Sequence, residues 1–166
     1  MLRTFAGFVL VAGLATAAAA QDHANCPMAG SDAHRAKVDH RHDEVTGVAH
    51  EGTVHHFLLT KDGGSIGLEV NDTSKAEERD RIREHLQVVV RSFAAGDFAL
   101  PMLIHDQVPP GVKVMKERKN AIQYAYVPNE NGGIVRISTR DARALDAVHE
   151  FLRFQIRDHG TNDPTE

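Results

Sequence analysis

One pattern constrains this chain more than any other: a β-hairpin followed by a helix, occurring twice in the same order. His55–Thr60 alternates like a strand, Lys61-Asp62-Gly63-Gly64 is a turn whose glycines tolerate positive φ, and Ser65–Val70 is a second strand. Asn71-Asp72-Thr73-Ser74 offers helix caps, and a helix follows to about Ala95, stopped by Gly96. Ile82, Leu86, Val89, Val90 and Phe93 fall on one face of that helix. The order then recurs. Ala121–Val127 is a strand, Pro128 through Gly133 a turn, and Ile134–Ser138 a strand. Asp141 caps a second helix striped by Leu145, Val148, Leu152 and Ile156, which Gly160 ends. An isolated hairpin has one apolar face and cannot stand alone, but two can pair edge to edge. The expected fold is therefore α+β: a two-layer sandwich built from a duplicated β-β-α unit, with a four-stranded antiparallel sheet carrying two helices on one face. The copies span about 54–98 and 120–163 within a single domain, 54–163. Pro101, Pro109, Pro110 and Gly111 mark the connection, 99–119, as loop rather than helix.

Residues 1–20 read as a signal peptide. Arg3 is their only charge, an apolar run extends from Phe5 to Ala19, and Ala18-x-Ala20 is a cleavage pattern before Gln21. Cleavage after Ala20 and export to the periplasm are expected. No later stretch is apolar enough over sufficient length to span a bilayer. Residues 21–53 contain few large apolar side chains and read as a flexible tail. The formal net charge of −4 argues against nucleic acid as a partner.

The composition is skewed toward metal-ligating side chains, with 11 His beside a single Cys. A lone Cys cannot form an intrachain disulfide. In the tail, His23-x2-Cys26-x-Met28 would let a flexible chain wrap a soft ion such as copper, with zinc as an alternative. His55-His56 opens the first strand, and successive strand side chains point to opposite faces, so only one of them can face the helices. Pro101, Pro109 and Pro110 stiffen a segment carrying Met102-x2-His105, again a soft and borderline pair. His149 lies beside the apolar stripe of the second helix, and His85 sits similarly on the first. His159 lies ten residues beyond His149, roughly 15 Å along a helix, so the two cannot share an ion. At the helix end His159 reads as a cation facing the negative end of the dipole.

His55-His56-Phe57, Asp62-Gly63-Gly64, Gly96-Asp97-Phe98, Pro101-x3-His105, Pro110-Gly111 and Asp158-His159-Gly160 together resemble a family of small exported bacterial proteins. Its members are mostly uncharacterised and often carry the label aspartate carbamoyltransferase. The resemblance covers about Val54 to Asp163 and implies a periplasmic location rather than a defined activity. Similar chains also have a Cys-Pro-Met tail, as Cys26-Pro27-Met28 does here, but read Met-Gly-Phe where this chain has Thr46-Gly47-Val48. Carbamoyl transfer itself is not expected. Ser138-Thr139-Arg140-Asp141 resembles the phosphate-cradling turn of such enzymes, but its final Asp would repel phosphate. It reads as a helix cap instead.

The leading functional expectation is a periplasmic metal-binding protein handling copper, as chaperone, buffer or resistance factor. His23, Cys26 and Met28 would capture the ion, and His55, Met102, His105 and His149 would hold or pass it. A periplasmic protein partner and a homodimer are both compatible with this. The alternatives are a metal-free module binding a small ligand or a protein, and a small enzyme pairing His105 or His149 with Asp106 or Asp97 for acid–base work.

Overall fold

The computed structural model describes residues 31–166, so the signal peptide and the His23, Cys26 and Met28 trio lie outside the described residues. The described chain runs α1 (Asp32–Thr46), β1 (Thr53–Thr60), β2 (Gly63–Val70), α2 (Ala76–Ala95), α3 (Ala99–His105), α4 (Val112–Glu117), a 3-10 turn, β3 (Ile122–Pro128), β4 (Gly132–Thr139) and α5 (Ala142–His159). No single described helix is long and apolar enough to cross a membrane.

The sheet is four-stranded and antiparallel in the order β1-β2-β4-β3, so the two hairpins meet through their inner strands, with Ile66 opposite Val135. Period-two alternation sets its faces. Thr53, His55 and Phe57 of β1 are buried, while Val54, His56 and Leu58 are exposed. The helices cover the buried face crosswise. α2, from the first copy, lies mainly over β3 and β4, and α5, from the second, lies mainly over β1 and β2. Each hairpin thus hides its apolar face under the other copy's helix, which makes the two units one cooperative core. Phe57, Leu68, Ile82, Leu86, Val135, Ile137, Val148, Phe151 and Leu152 form its centre. The expected caps hold at three of four helix ends. Asp141 accepts the Ala144 amide at 2.9 Å, and Gly96 and Gly160 end their helices in the left-handed region. At the start of α2, Asp72 instead takes the Ser74 amide in the preceding turn, and Lys75 occupies the cap position without a side-chain bond.

Two stretches differ from expectation. The connection 99–119 contains α3 and α4 rather than bare loop. Pro101 sits in the first turn of α3, where its missing N–H has no helical partner to lose. Pro109 and Pro110 fall between the helices, and Gly111 precedes α4 at φ 80°. A Cβ there would stand 2.0 Å from the Ala147 carbonyl oxygen, so this glycine is what lets α4 dock on α5. Gly111→Ala should therefore cost at least about 1 kcal/mol in urea unfolding, through both strained backbone and lost docking.

The second difference is α1, which occupies much of the expected tail. Ser31 caps it by accepting the His34 amide, and Gly47 ends it at φ 67°. It carries no apolar stripe, and Val38 and His42 are its buried residues. Polar hooks dock it instead. His34 Nε2 meets Asp158 Oδ1 at 2.7 Å, and Arg41 Nε donates to the Ile104 carbonyl at 2.6 Å. After α5, the C-terminal segment returns along β1. Asp163 accepts the Phe57 amide at 2.8 Å through Oδ2 and lies 2.9 Å from His56 Nδ1 through Oδ1.

Candidate functional site

The docking of α1 completes a cluster of imidazoles at one end of the helix layer. Six segments each contribute one: His42 from α1, His50 from the α1–β1 connection, His55 from β1, His85 from α2, His105 from the end of α3, and His159 from the end of α5. Ring centres lie 4.8 Å apart for His42 and His55, 5.2 Å for His55 and His159, and 6.3 Å for His42 and His159. His85 stands 6.0 Å from His42, His50 5.6 Å from His55, and His105 5.0 Å from His159.

The local sequence explains the inward aim of four of these rings. His55 occupies a core-facing position of the alternating strand, two residues before buried Phe57. His85 lies three residues after Ile82 and four before Val89, on the flank of the α2 stripe. His159 lies three residues beyond Ile156 and seven beyond Leu152, continuing the α5 stripe. His42 follows buried Val38 by four residues. The spacings in α2 and α5 were readable, and they single out His85 and His159 as core-facing; that of His42 was not, because nothing marked α1 as a docked helix.

Burial governs the electrostatics. His55 and His159 are pushed well below the ordinary imidazole value, first by desolvation and then by the surrounding histidines. Burial and the proximity of His42 lower His85 to about 4. His42 is lowered too, because desolvation outweighs the pull of Asp43. These four rings are therefore held toward their neutral form at pH 7. His159 is not the dipole-facing cation expected at a helix end, because the segments packed around it remove the water that would stabilise its charge.

Hydrogen bonding divides the cluster in two. His105 has both nitrogens engaged, Nδ1 with Asp158 Oδ2 and Nε2 with Gln155 Oε1 at 2.9 Å. Asp158 is buried between His105 and His34. Burial raises its pKa, but the bonds from His105 and then His34 outweigh that and hold it below the ordinary carboxylate value. In contrast, the Nδ1 atoms of His42, His50, His55 and His159 are buried without a hydrogen-bond partner. The Asp43 carboxylate lies 3.6 Å from His42 Nδ1, too far to serve. Four orphaned lone-pair or N–H positions in one cluster are unusual, since buried polar groups are nearly always satisfied.

All of these imidazoles but His50 form the polar end of an otherwise apolar pocket of about 60 Å³. Phe57, Ile66 and Leu68 line it from the sheet, Leu86, Val89 and Phe93 from α2, and Leu100, Pro101 and Ile104 from α3. Gln155 lines it as well, and its Nε2 is buried without a partner. As the rings stand, no three His, Cys, Asp or Glu side chains among the described residues are already arranged to hold a metal ion.

The expected site residues are thus distributed unevenly. His55 belongs to the cluster with a free nitrogen, and His105 belongs to it with none. Met102 is half-buried on α3 and does not line the chamber. His149 lies near the middle of α5, where its Nε2 donates to the Thr60 carbonyl at 2.9 Å and pins the helix to the first hairpin. Neither Asp106 nor Asp97 pairs with a histidine: Asp106 is an exposed left-handed residue ending α3, and Asp97 accepts the Ala99 amide. The Ser138-Thr139-Arg140-Asp141 turn is the cap of α5. His42, His50, His85 and His159 are the site residues that sequence reasoning did not assign. Comparison with protein-family models, curated proteins and solved structures finds no match, so the chemistry of the cluster has to be read from its geometry.

Proposed function

We propose that this is an exported metal-binding protein that handles copper in the periplasm, with His42, His55 and His159 as its principal ligands. The observation that carries the reading is the group of orphaned Nδ1 atoms at coordination-like spacing. An imidazole nitrogen binds a first-row ion at about 2.0 Å, which puts ring centres roughly 3 Å from the ion and about 5 Å from one another in a tetrahedral site. The three rings stand 4.8 to 6.3 Å apart. The rings would have to rotate to converge their nitrogens, and an ion would then satisfy lone pairs that no protein group satisfies. His85 or His50 would complete the set.

Neutral imidazole is the ligating form, so burial prepares these rings to take an ion at neutral pH without shedding protons. An all-nitrogen set suits Cu(II) best among common divalent ions and accepts Zn(II) more weakly. The Asp158 bonds to His105 and His34 tie α3, α5 and α1 together behind the ligands, holding them in place as outer-shell partners do. His23, Cys26 and Met28 in the exported tail would collect the ion and pass it inward by ligand exchange, from or to a periplasmic protein partner.

The test is Cu(II) and Zn(II) titration of the chain from Gln21, in a form with His23, Cys26 and Met28 replaced by alanine or serine. One ion per chain is expected. His55→Ala and His159→Ala should each weaken Cu(II) by at least about a hundredfold, since losing a ligand costs no less than losing the outer-shell partner that orients it, and His149→Ala should leave it unchanged. Stoichiometric binding that survives the loss of His42, His55 and His159 together would sink the reading. The apolar chamber favours a second one, a metal-free module for a small ligand, which a complete lack of ion uptake would select.

A further inference from the structure

Among the described residues, no helix or strand packs on the sheet face opposite the helices. Val54, His56 and Leu58 of β1, Arg136 of β4, and Ala125 and Val127 of β3 stand exposed there. In the middle of that face lies a notch. Gly67 has no positive φ, and a Cβ on it would meet nothing closer than 3.5 Å. Neither the backbone nor the neighbours in this chain require a glycine. Glycine weakens a strand interior, so a close approach from outside is the remaining reason for it.

The cross-strand register shows what fits the notch. Gly67 pairs with Ile134, Ser65 with Arg136, and Glu69 with Gly132. In each row one member is large and the other small, and the two stand on either side of the line between β2 and β4. A twofold axis lying above that line exchanges the two strands. Each Ile134 then meets the partner's Gly67, each Arg136 the partner's Ser65, and each Glu69 the partner's Gly132. Farther out in the Arg136 row, Leu58 meets the partner's Ala125, again large on small. The rows nearest the axis keep this facing when two sheets cross at the usual angle of about 30°. Charge follows the same rule. Glu69 lies on β2 and Arg136 on β4, so each protomer's acid comes to lie along the strand that carries the partner's base. The area is sufficient as well. Three strands have eight residues and β3 has seven. Such a face measures roughly 27 by 19 Å, and two of them together hide about 1,000 Å², the size at which a specific interface becomes stable.

We infer that the open sheet face binds a second copy of this chain, forming a twofold dimer in which Ile134 of each protomer sits in the partner's Gly67 notch. This interface lies on the opposite side of the sheet from the histidine cluster, and it does not depend on the metal reading.

Sedimentation equilibrium of the chain from Gln21 is the test, with a chelator present so that no ion bridges two tails. A dimer with a Kd of about 50 μM or tighter is expected for an interface of this size. Gly67→Leu fills space that the folded chain leaves open, so it should keep the circular-dichroism spectrum and weaken the dimer at least about tenfold by overpacking the contact. Combining it with Ile134→Ala moves the knob to β2 and the notch to β4. The double variant should recover most of the lost affinity, the coupling expected of side chains that touch. Ile134→Lys places a charge at the centre of the contact and should give a folded monomer, a comparison that stands even if Gly67→Leu misfolds. A monomer at every concentration up to about 100 μM would overturn the inference and leave the face to a different partner. A dimer that Gly67→Leu or Ile134→Lys leaves at full strength would also overturn it, by placing the contact on another surface.

Discussion

Acidification should destabilise this protein progressively from about pH 6.5 downward. Burial and the neighbouring His42 lower His85 to about 4 in the folded chain, against an ordinary value of 6.5. Between those values the unfolded state binds the proton and the folded state does not, so stability falls as pH drops. The loss begins as pH passes about 6.5, grows until about pH 4, and amounts to roughly 3 kcal/mol for this one residue. His42, His55 and His159 are shifted in the same direction, so their contributions are also lost as pH falls below the ordinary imidazole value. Against a total stability of order 5–15 kcal/mol, that is a substantial share of what holds a small domain folded. The measurement is urea unfolding at a series of pH values. His85→Gln should flatten the pH dependence, and an unchanged slope in that variant would exclude His85 as a source. Bound Cu(II) should move the transition to lower pH, because protons and the ion compete for the same imidazoles.

Asp158→Ala is expected to be the most damaging single substitution outside the hydrophobic core. The carboxylate is buried and accepts from His105 on one side and His34 on the other. Truncation leaves His105 buried with half its bonding lost, opens a void, and releases the hook that holds the N-terminal part of α1. Removing one partner of a buried charge pair typically costs about 3–5 kcal/mol. Asp158→Asn should cost less. Its amide can accept from one imidazole and donate to the other in neutral form, which keeps the bridge without the charge. A loss of under about 1 kcal/mol for the alanine variant would mean that this bridge contributes little beyond what a surface ion pair does.

How much of this was legible in the residues depends on the element. The hairpins, α2 and α5 were readable because their apolar periodicity matched the surface they bury. His55 against His56 could be resolved to one inward and one outward, and the structure buries His55 and pairs exposed His56 with Asp163. α1 was not readable, since its docking depends on His34 and Arg41 meeting partners 60 or more positions away rather than on a stripe. α3 was hidden by Pro101, a helix breaker in most positions but harmless in a first turn. The histidine cluster was the least legible feature. Its members come from six segments, and no spacing within one segment announces the meeting. His105 drew attention through its prolines, and His149 through its place beside a stripe, yet one is fully bonded and the other serves as a pin between helix and hairpin.

The return of the C-terminal segment along β1 also bears on how this protein behaves in a crowded compartment. β1 is an outer strand of an open sheet, and such a strand presents amides and carbonyls that can template a foreign strand. Its own solvent-facing residues Val54 and Leu58 are exposed and apolar, which would favour that kind of stacking. Asp163 occupies the Phe57 amide and places a negative charge at the middle of the edge. On the far side, β3 ends in Pro128, which has no amide to offer. The few residues after Gly160 therefore act as a guard against self-propagating aggregation, built from the same chain that the sheet would otherwise recruit.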